Sequence, residues 1–116
     1  TVDYIGAVQG IPVCFDAKEC NADTFPLQNV HEHQIRFMEK FEQQGGIAFL
    51  LIYYTAREEL YYMQYRQIRR FWDRAEAGGR KSFRLDELEP DWFMKLQNGF
   101  FIPYLDSIQK DLDTRD

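Results

Sequence analysis

The chain is short of cysteine, of long apolar runs and of net positive charge, and each shortage removes a class of protein. Its two cysteines, Cys14 and Cys20, cannot make a disulfide framework, so free thiols in a reducing cytoplasm are expected. A zinc site from these two with His31 and His33 matches no common ligand spacing. Histidines two apart on a helix also face different ways. No stretch is long and apolar enough to span a membrane, and the run Gly46 to Tyr54 has only the length of a buried strand. No signal peptide is visible at the start. No internal repeat or low-complexity segment stands out, and a cytoplasmic protein with no membrane partner is expected.

The net charge of −5 argues mildly against a polyanionic partner, but its distribution is uneven. Residues 1–56 carry three Lys/Arg and seven Asp/Glu, residues 57–84 eight and four, and residues 85–116 three and eight. The middle segment is therefore +4 between two acidic flanks. Local potential matters more to a polyanion than the sum. With 116 residues, 45% of them hydrophobic, the chain suffices for one domain with a core and no covalent staples.

Gln9-Gly10 is the one good turn signal between two apolar runs and suits a two-residue hairpin. In that register paired residue numbers sum to nineteen, which sets Asp3 opposite Asp16 and Thr1 opposite Lys18. Cross-strand partners share a face, as do residues two apart along a strand. Thr1, Asp3, Asp16 and Lys18 thus converge on one side. Val2, Tyr4, Gly6, Val8, Ile11, Val13, Phe15 and Ala17 form an apolar opposite side suited to a core. Pro12 is the residue at odds with this scheme, because it cannot donate to the ladder.

Opposed carboxylates repel, and a divalent cation between them reverses the sign of that interaction. Carboxylate oxygens suit a hard ion such as Mg²⁺, which keeps several waters and binds through one or two carboxylates plus substrate phosphate. Such an ion generates hydroxide and offsets charge on phosphoryl oxygens. Lys18, two residues beyond Asp16, faces the same way and suits orientation of water or stabilisation of a transition state. This is the apparatus of a metal-dependent phosphodiester-cleaving nuclease. The alternative is an edge hairpin with ordinary surface charges.

Residues 19–28 read as a loop. Asn29 reads as a helix N-cap, with Glu32 completing a capping box. The helix should run from about His31 to Gln44 and stop at Gly45-Gly46, with Ile35, Met38 and Phe41 inward. Gln34 lies on the same stripe, where a glutamine needs partners: water or metal at the hairpin face, or backbone at the end of the seam. Ile47 to Tyr54 suits a central strand buried on both faces. Glu59 to Met63 reads as a further strand and residues 65–77 as a helix with Ile68, Phe71, Trp72 and Ala75 inward. A short turn at Asp86 to Leu88 and a last helix over 106–112, with a fraying acidic tail, complete the pattern. Arg70, Arg74, Arg80 and Lys81 are candidate phosphate contacts, with Gly78-Gly79 allowing close backbone approach. The same charges also read as a solvated helix face with i,i+4 pairs.

Taken in order, several segments resemble the RecU-type Holliday junction resolvases of Gram-positive bacteria and their phages. They are Thr1-Val2-Asp3-Tyr4 with Gly6, Phe15-Asp16-Ala17-Lys18-Glu19, and Phe25-Pro26-Leu27-Gln28-Asn29 running into His31-Glu32-His33-Gln34. Gly46-Ile47, Phe71-Trp72-Asp73-Arg74, Gly79-Arg80-Lys81-Ser82 and Asp86-Glu87-Leu88-Glu89 follow. A lone D-x-K is unspecific, but this set covers nearly the whole chain. The resemblance implies an α/β, restriction-endonuclease-like mixed β-sheet flanked by helices. It implies a homodimer that cuts four-way DNA junctions in recombination and repair, with a recombinase as a further partner. By position it implies that Thr1, Asp3, Asp16 and Gln34 hold one Mg²⁺ per subunit, Mn²⁺ being the alternative ion, and that Lys18 stabilises the transition state.

Two departures stand out. The family typically has Glu where this chain has Asp16, so a shorter side chain must reach the metal. The family also has an upstream basic region and a projecting stalk, so residues 1–116 are expected to be a single nuclease domain lacking both. Two competing readings are a related nuclease acting on duplex or flaps, and a non-catalytic DNA- or recombinase-binding module. No Ser-x-x-Lys motif occurs, so the penicillin-binding label carried by some relatives has no chemical support here.

Overall fold

A computed structural model describes residues 2–95, 110, 111, 113 and 114. Strand β1 (Tyr4–Val8) turns at Gln9-Gly10 into β2 (Ile11–Cys20). Gln9 has φ 52° and Gly10 φ 81°, the paired positive values of a type I′ turn, which glycine adopts without steric cost. The ladder runs Tyr4 with Phe15, Gly6 with Val13 and Val8 with Ile11, so each pair sums to nineteen. Pro12 sits opposite Ala7. Pairs alternate between bonded and non-bonded away from a two-residue turn, so the Pro12 nitrogen points away from β1. On that side β2 meets its next neighbour only from Val13 onward, so no central bond is lost.

Strand β2 runs parallel to β4 (Ile47–Tyr54), with Asp16 beside Leu50 and Lys18 beside Ile52. A parallel pair needs a long crossover, and helix α1 (Glu32–Gln43) lies within it. Strands β5 (Glu59–Gln64) and β7 (Phe93–Lys95) continue the sheet antiparallel, giving the order β1-β2-β4-β5-β7. Helix α2 (Tyr65–Glu76) lies against β4 and α1. The architecture is α/β, a mixed sheet flanked by helices, as expected.

A separate two-stranded ribbon joins β3 (Thr24–Pro26) to β6 (Ser82–Arg84). Its rings anchor it to α2: Phe25 stacks on Phe83 at 4.9 Å, and Phe83 on Phe71 at 4.6 Å. The ribbon departs from the loop expected over 19–28, because three-residue strands carry too little periodicity to announce themselves.

Every β4 residue from Ile47 to Ile52 is buried, which fits a continuous apolar run in a central strand. One face of the sheet carries a row of rings, Tyr4, Phe15, Phe49, Tyr62 and Trp92, with successive centroids 5.0, 5.1, 4.1 and 5.3 Å apart. Within this row Tyr62 donates to the buried Asp111 at 2.7 Å, and Gln64 Nε2 donates to the other Asp111 oxygen at 2.6 Å. Both cysteines are buried and unbridged, as expected. Burial, and then the charge of Glu42, push the Cys14 thiol up to about 12, so it stays protonated and inert at neutral pH.

Two further expectations need adjustment, and a third is described only in part. The apolar hairpin side is only partly core, since β1 is an edge strand whose Tyr4 is 40% exposed. Helix α1 is capped by His31 with Gln34 as its partner, not by Asn29 with Glu32; Leu27–Asn29 forms a 3-10 turn instead. The helix expected over 106–112 falls mostly outside the described residues, with Lys110 and Asp111 helical.

Candidate active site

Asp16 and Lys18 project from β2 toward α1, two residues apart and so on one face. Asp3 precedes β1 and is tied to β2 by two bonds, one to Asp16 and one to Ala17. The Asp3 backbone N–H donates to Asp16 Oδ1 at 2.9 Å, and the Ala17 N–H donates to Asp3 Oδ2 at 3.1 Å. Asp3 is exposed, whereas Asp16 retains 2% of its accessible surface. A carboxylate that deep must be compensated. Lys18 Nζ lies 2.8 Å from Asp16 Oδ2, and Gln34 Nε2 donates to the same oxygen at 3.1 Å.

Gln34 is the keystone of this arrangement. An ionised carboxylate accepts only, so the Gln34 amide must turn its nitrogen to Asp16. Its Oε1 then accepts the His31 backbone N–H at 3.1 Å and faces Lys18 Nζ at 3.5 Å. All three partners agree on one orientation. The helix start, the buried carboxylate and the lysine are therefore joined through one amide. The part of His31 escapes the sequence, because histidine is no usual cap; its i,i+3 spacing to Gln34 is the one available signal.

Hard oxygen donors from two carboxylates, beside an ammonium, fit a cation that retains waters. Among the described residues no cluster of three or more His, Cys, Asp or Glu forms. Thr1 lies outside the described residues.

The basic residues divide. Arg74 is turned inward: its Nη1 donates to Glu87 Oε1 at 2.6 Å, its Nη2 to the Ser82 carbonyl at 2.8 Å, and its guanidinium lies 5.0 Å from the Phe71 ring centroid. A guanidinium so engaged is a strut between α2 and β6, with 35% of its side chain still exposed. Arg69 pairs with Asp73 one turn on and with Glu39, as a solvated helix face would. Arg70, Arg80 and Lys81 are exposed. Helix α2 closes with Gly78 at φ 94°, and the Gly79 N–H reaches back to the Arg74 carbonyl at 2.9 Å. This Schellman closure turns the chain sharply into Arg80-Lys81. The Leu27 N–H then binds the Lys81 carbonyl at 3.0 Å, which ties the basic loop to the segment leading into α1.

The Arg74 strut has a consequence in acid. The Arg74 guanidinium foremost, with the Arg84 backbone N–H, holds the Glu87 carboxyl down to about 2 from an ordinary 4.5. A depressed acid contributes stability above its unfolded value and loses it as pH falls through its folded value. Unfolding midpoints should therefore fall between about pH 4.5 and 2. Glu87→Gln should flatten that part of the profile, and an unchanged slope would remove Glu87 from the account.

The family described as RecU, recombination protein U, matches residues 1–110. A Holliday junction resolvase RecU of Pediococcus pentosaceus is 39% identical over 112 residues, covering 95% of this chain and 56% of that protein. Its counterpart in Staphylococcus saprophyticus is 40% identical over 105 residues, 90% of this chain and 47% of that protein. The Bacillus subtilis protein of the same name is 46% identical over 90 residues, 77% of this chain and 43% of that protein. The chain thus spans about half the length of the curated relatives it matches. Together with the mixed sheet, the match along nearly all of its length shows that the chain belongs to the RecU family.

Proposed function

We propose that this protein is a Mg²⁺-dependent endodeoxyribonuclease that resolves four-way DNA junctions, with residues 1–116 acting as one nuclease unit. The observation that carries this reading is the buried Asp16 carboxylate held among Asp3, Lys18 and Gln34 on one face of β2. Its relatives' name, Holliday junction resolvase, supports the substrate.

In this reading Asp3 and Asp16 hold the cation, and Thr1 and Gln34 complete or support its shell. A bound Mg²⁺ supplies an acidified water and offsets charge on the phosphoryl oxygens. Lys18 orients the attacking water or stabilises the pentacovalent phosphate. Gln34 keeps Asp16 and Lys18 in place through its two ends. Arg70, Arg74, Arg80 and Lys81 contact phosphates, which position the DNA without reading its sequence. A homodimer with one cation per subunit sets two such sites against opposing strands. Work on DNA in recombination and repair would be done in the cytoplasm, with a recombinase as a further partner.

The test is cleavage of a synthetic four-way junction beside a linear duplex of matched sequence, with and without Mg²⁺ or Mn²⁺. Symmetric, divalent-dependent cuts confined to the junction are expected, with loss of cleavage in Asp3→Asn and Lys18→Ala. Equal cutting of both substrates points to a duplex nuclease. Binding without cleavage, together with no cation uptake, points to a non-catalytic module.

A further inference from the structure

Asp16 keeps 2% of its surface, yet its carboxylate lies 2.8 Å from an ammonium and receives two further donors. A charged carboxylate at that depth carries a large desolvation cost unless a counter-charge accompanies it. The only cationic side chain in contact with Asp16 among the described residues is Lys18. The Lys18 ammonium therefore stands against Oδ2 of the carboxylate on which the proposed metal would sit.

We infer that Lys18 is the resident counter-ion of Asp16, occupying the cation's place until the divalent ion arrives and displaces it toward the phosphate. This deepens the proposed function and rests on its reading of Asp16 as a cation ligand. It gives Lys18 a second task, separate from any role in the transition state: it keeps the metal-free site neutral enough to remain folded, at the expense of cation affinity. The Gln34 amide supplies the path. Its Oε1 lies 3.5 Å from Lys18 Nζ, so the ammonium keeps a partner on Gln34 while it leaves Asp16. Lys18 keeps 17% of its side-chain surface exposed, so it is not sealed from solvent as Asp16 nearly is. No covalent bond is made or broken; one cation replaces another at a carboxylate.

The inference predicts opposite signs for two properties of one variant. In the absence of DNA, Lys18→Met should bind Mg²⁺ or Mn²⁺ at least several-fold more tightly than wild type by titration calorimetry. Without metal it should melt at a lower temperature than wild type, and the added ion should recover more of its melting temperature. Lys18→Arg, which keeps the charge, should track wild type in both measurements. Lys95→Met, on β7, removes an equal charge three strands from β2 and should change neither.

Equal or weaker cation affinity in Lys18→Met than in wild type overturns the inference. So does tighter binding shared by Lys95→Met, because overall charge would then account for it. Should Lys18→Met fail to fold without metal, the ion should restore its fold, and failure to do so also overturns the inference. Asp16→Asn separates this from the underlying reading. If Asp16→Asn binds the ion as wild type does, Asp16 is no ligand and both fall. If Asp16→Asn loses binding while Lys18→Met gains none, only the counter-ion role falls.

Discussion

Asp16→Asn is expected to abolish divalent-dependent junction cleavage, by on the order of 100-fold or more, while the protein remains folded. The geometry makes this the most damaging single-atom change in the site. Three donors converge on the carboxylate: the Asp3 N–H, the Gln34 amide and the Lys18 ammonium. Asparagine offers one oxygen to share among them and sets an N–H₂ against at least one donor. It also removes the charge that holds a cation and compensates Lys18. An unsatisfied buried donor costs about 1–3 kcal/mol, so a modest fall in melting temperature should accompany the loss of activity. Junction cleavage followed on gels, beside a thermal melt by circular dichroism, reads both effects. Cleavage near the wild-type rate would end the proposal that Asp16 holds the ion.

Phe49→Ala should cost the fold more than any substitution at the site, at about 3–5 kcal/mol in chemical denaturation. Phe49 is fully buried on β4, with its ring 5.1 Å from Phe15 and 4.1 Å from Tyr62. Removing it opens a gap in the middle of the ring row, between β2 and β5, where the central sheet has little freedom to collapse. Since a domain of this size is stable by only about 5–15 kcal/mol, much of the margin disappears. The loss should also weaken activity indirectly, because β2 carries Asp16 and Lys18 on its other face. A change below about 1 kcal/mol would show that the ring row is not the core that the burial of Phe49 indicates.

These two residues show what is legible in the letters and what is not. The hairpin register follows from a short chain of local facts: one turn dipeptide, strands on both sides and a side-chain period of two. Such features need no partner distant in sequence, so the sum of nineteen survives in the ladder from Tyr4–Phe15 to Val8–Ile11, with the Asp3 backbone N–H on the Asp16 side chain just beyond it. Strand β4 is equally legible, because an eight-residue apolar run has few other places to go. Helix α2 ends where Gly78 permits a left-handed closure.

Arg74 shows the opposite case. In the sequence it belongs to a run of arginines with no visible partner. Its carboxylate, Glu87, lies thirteen residues on, beyond a turn and the short β6 strand. Periodicity puts Gln34 on the right stripe, but it cannot say which end of the amide faces which neighbour.

By itself the sequence determined the α/β class, the hairpin register, the central strand and the family, because these depend on local turn chemistry, side-chain period and motif order. Tertiary structure decided what those residues touch. The crossover through α1 brings Gln34 to Asp16, and the β3–β6 ribbon ties the Arg80-Lys81 loop near the start of that helix. Burial then turns Lys18 into the partner of a carboxylate. Desolvation supplies the reason: a charge has no need of a particular partner until the fold removes its water, and only the assembled sheet and helix do that.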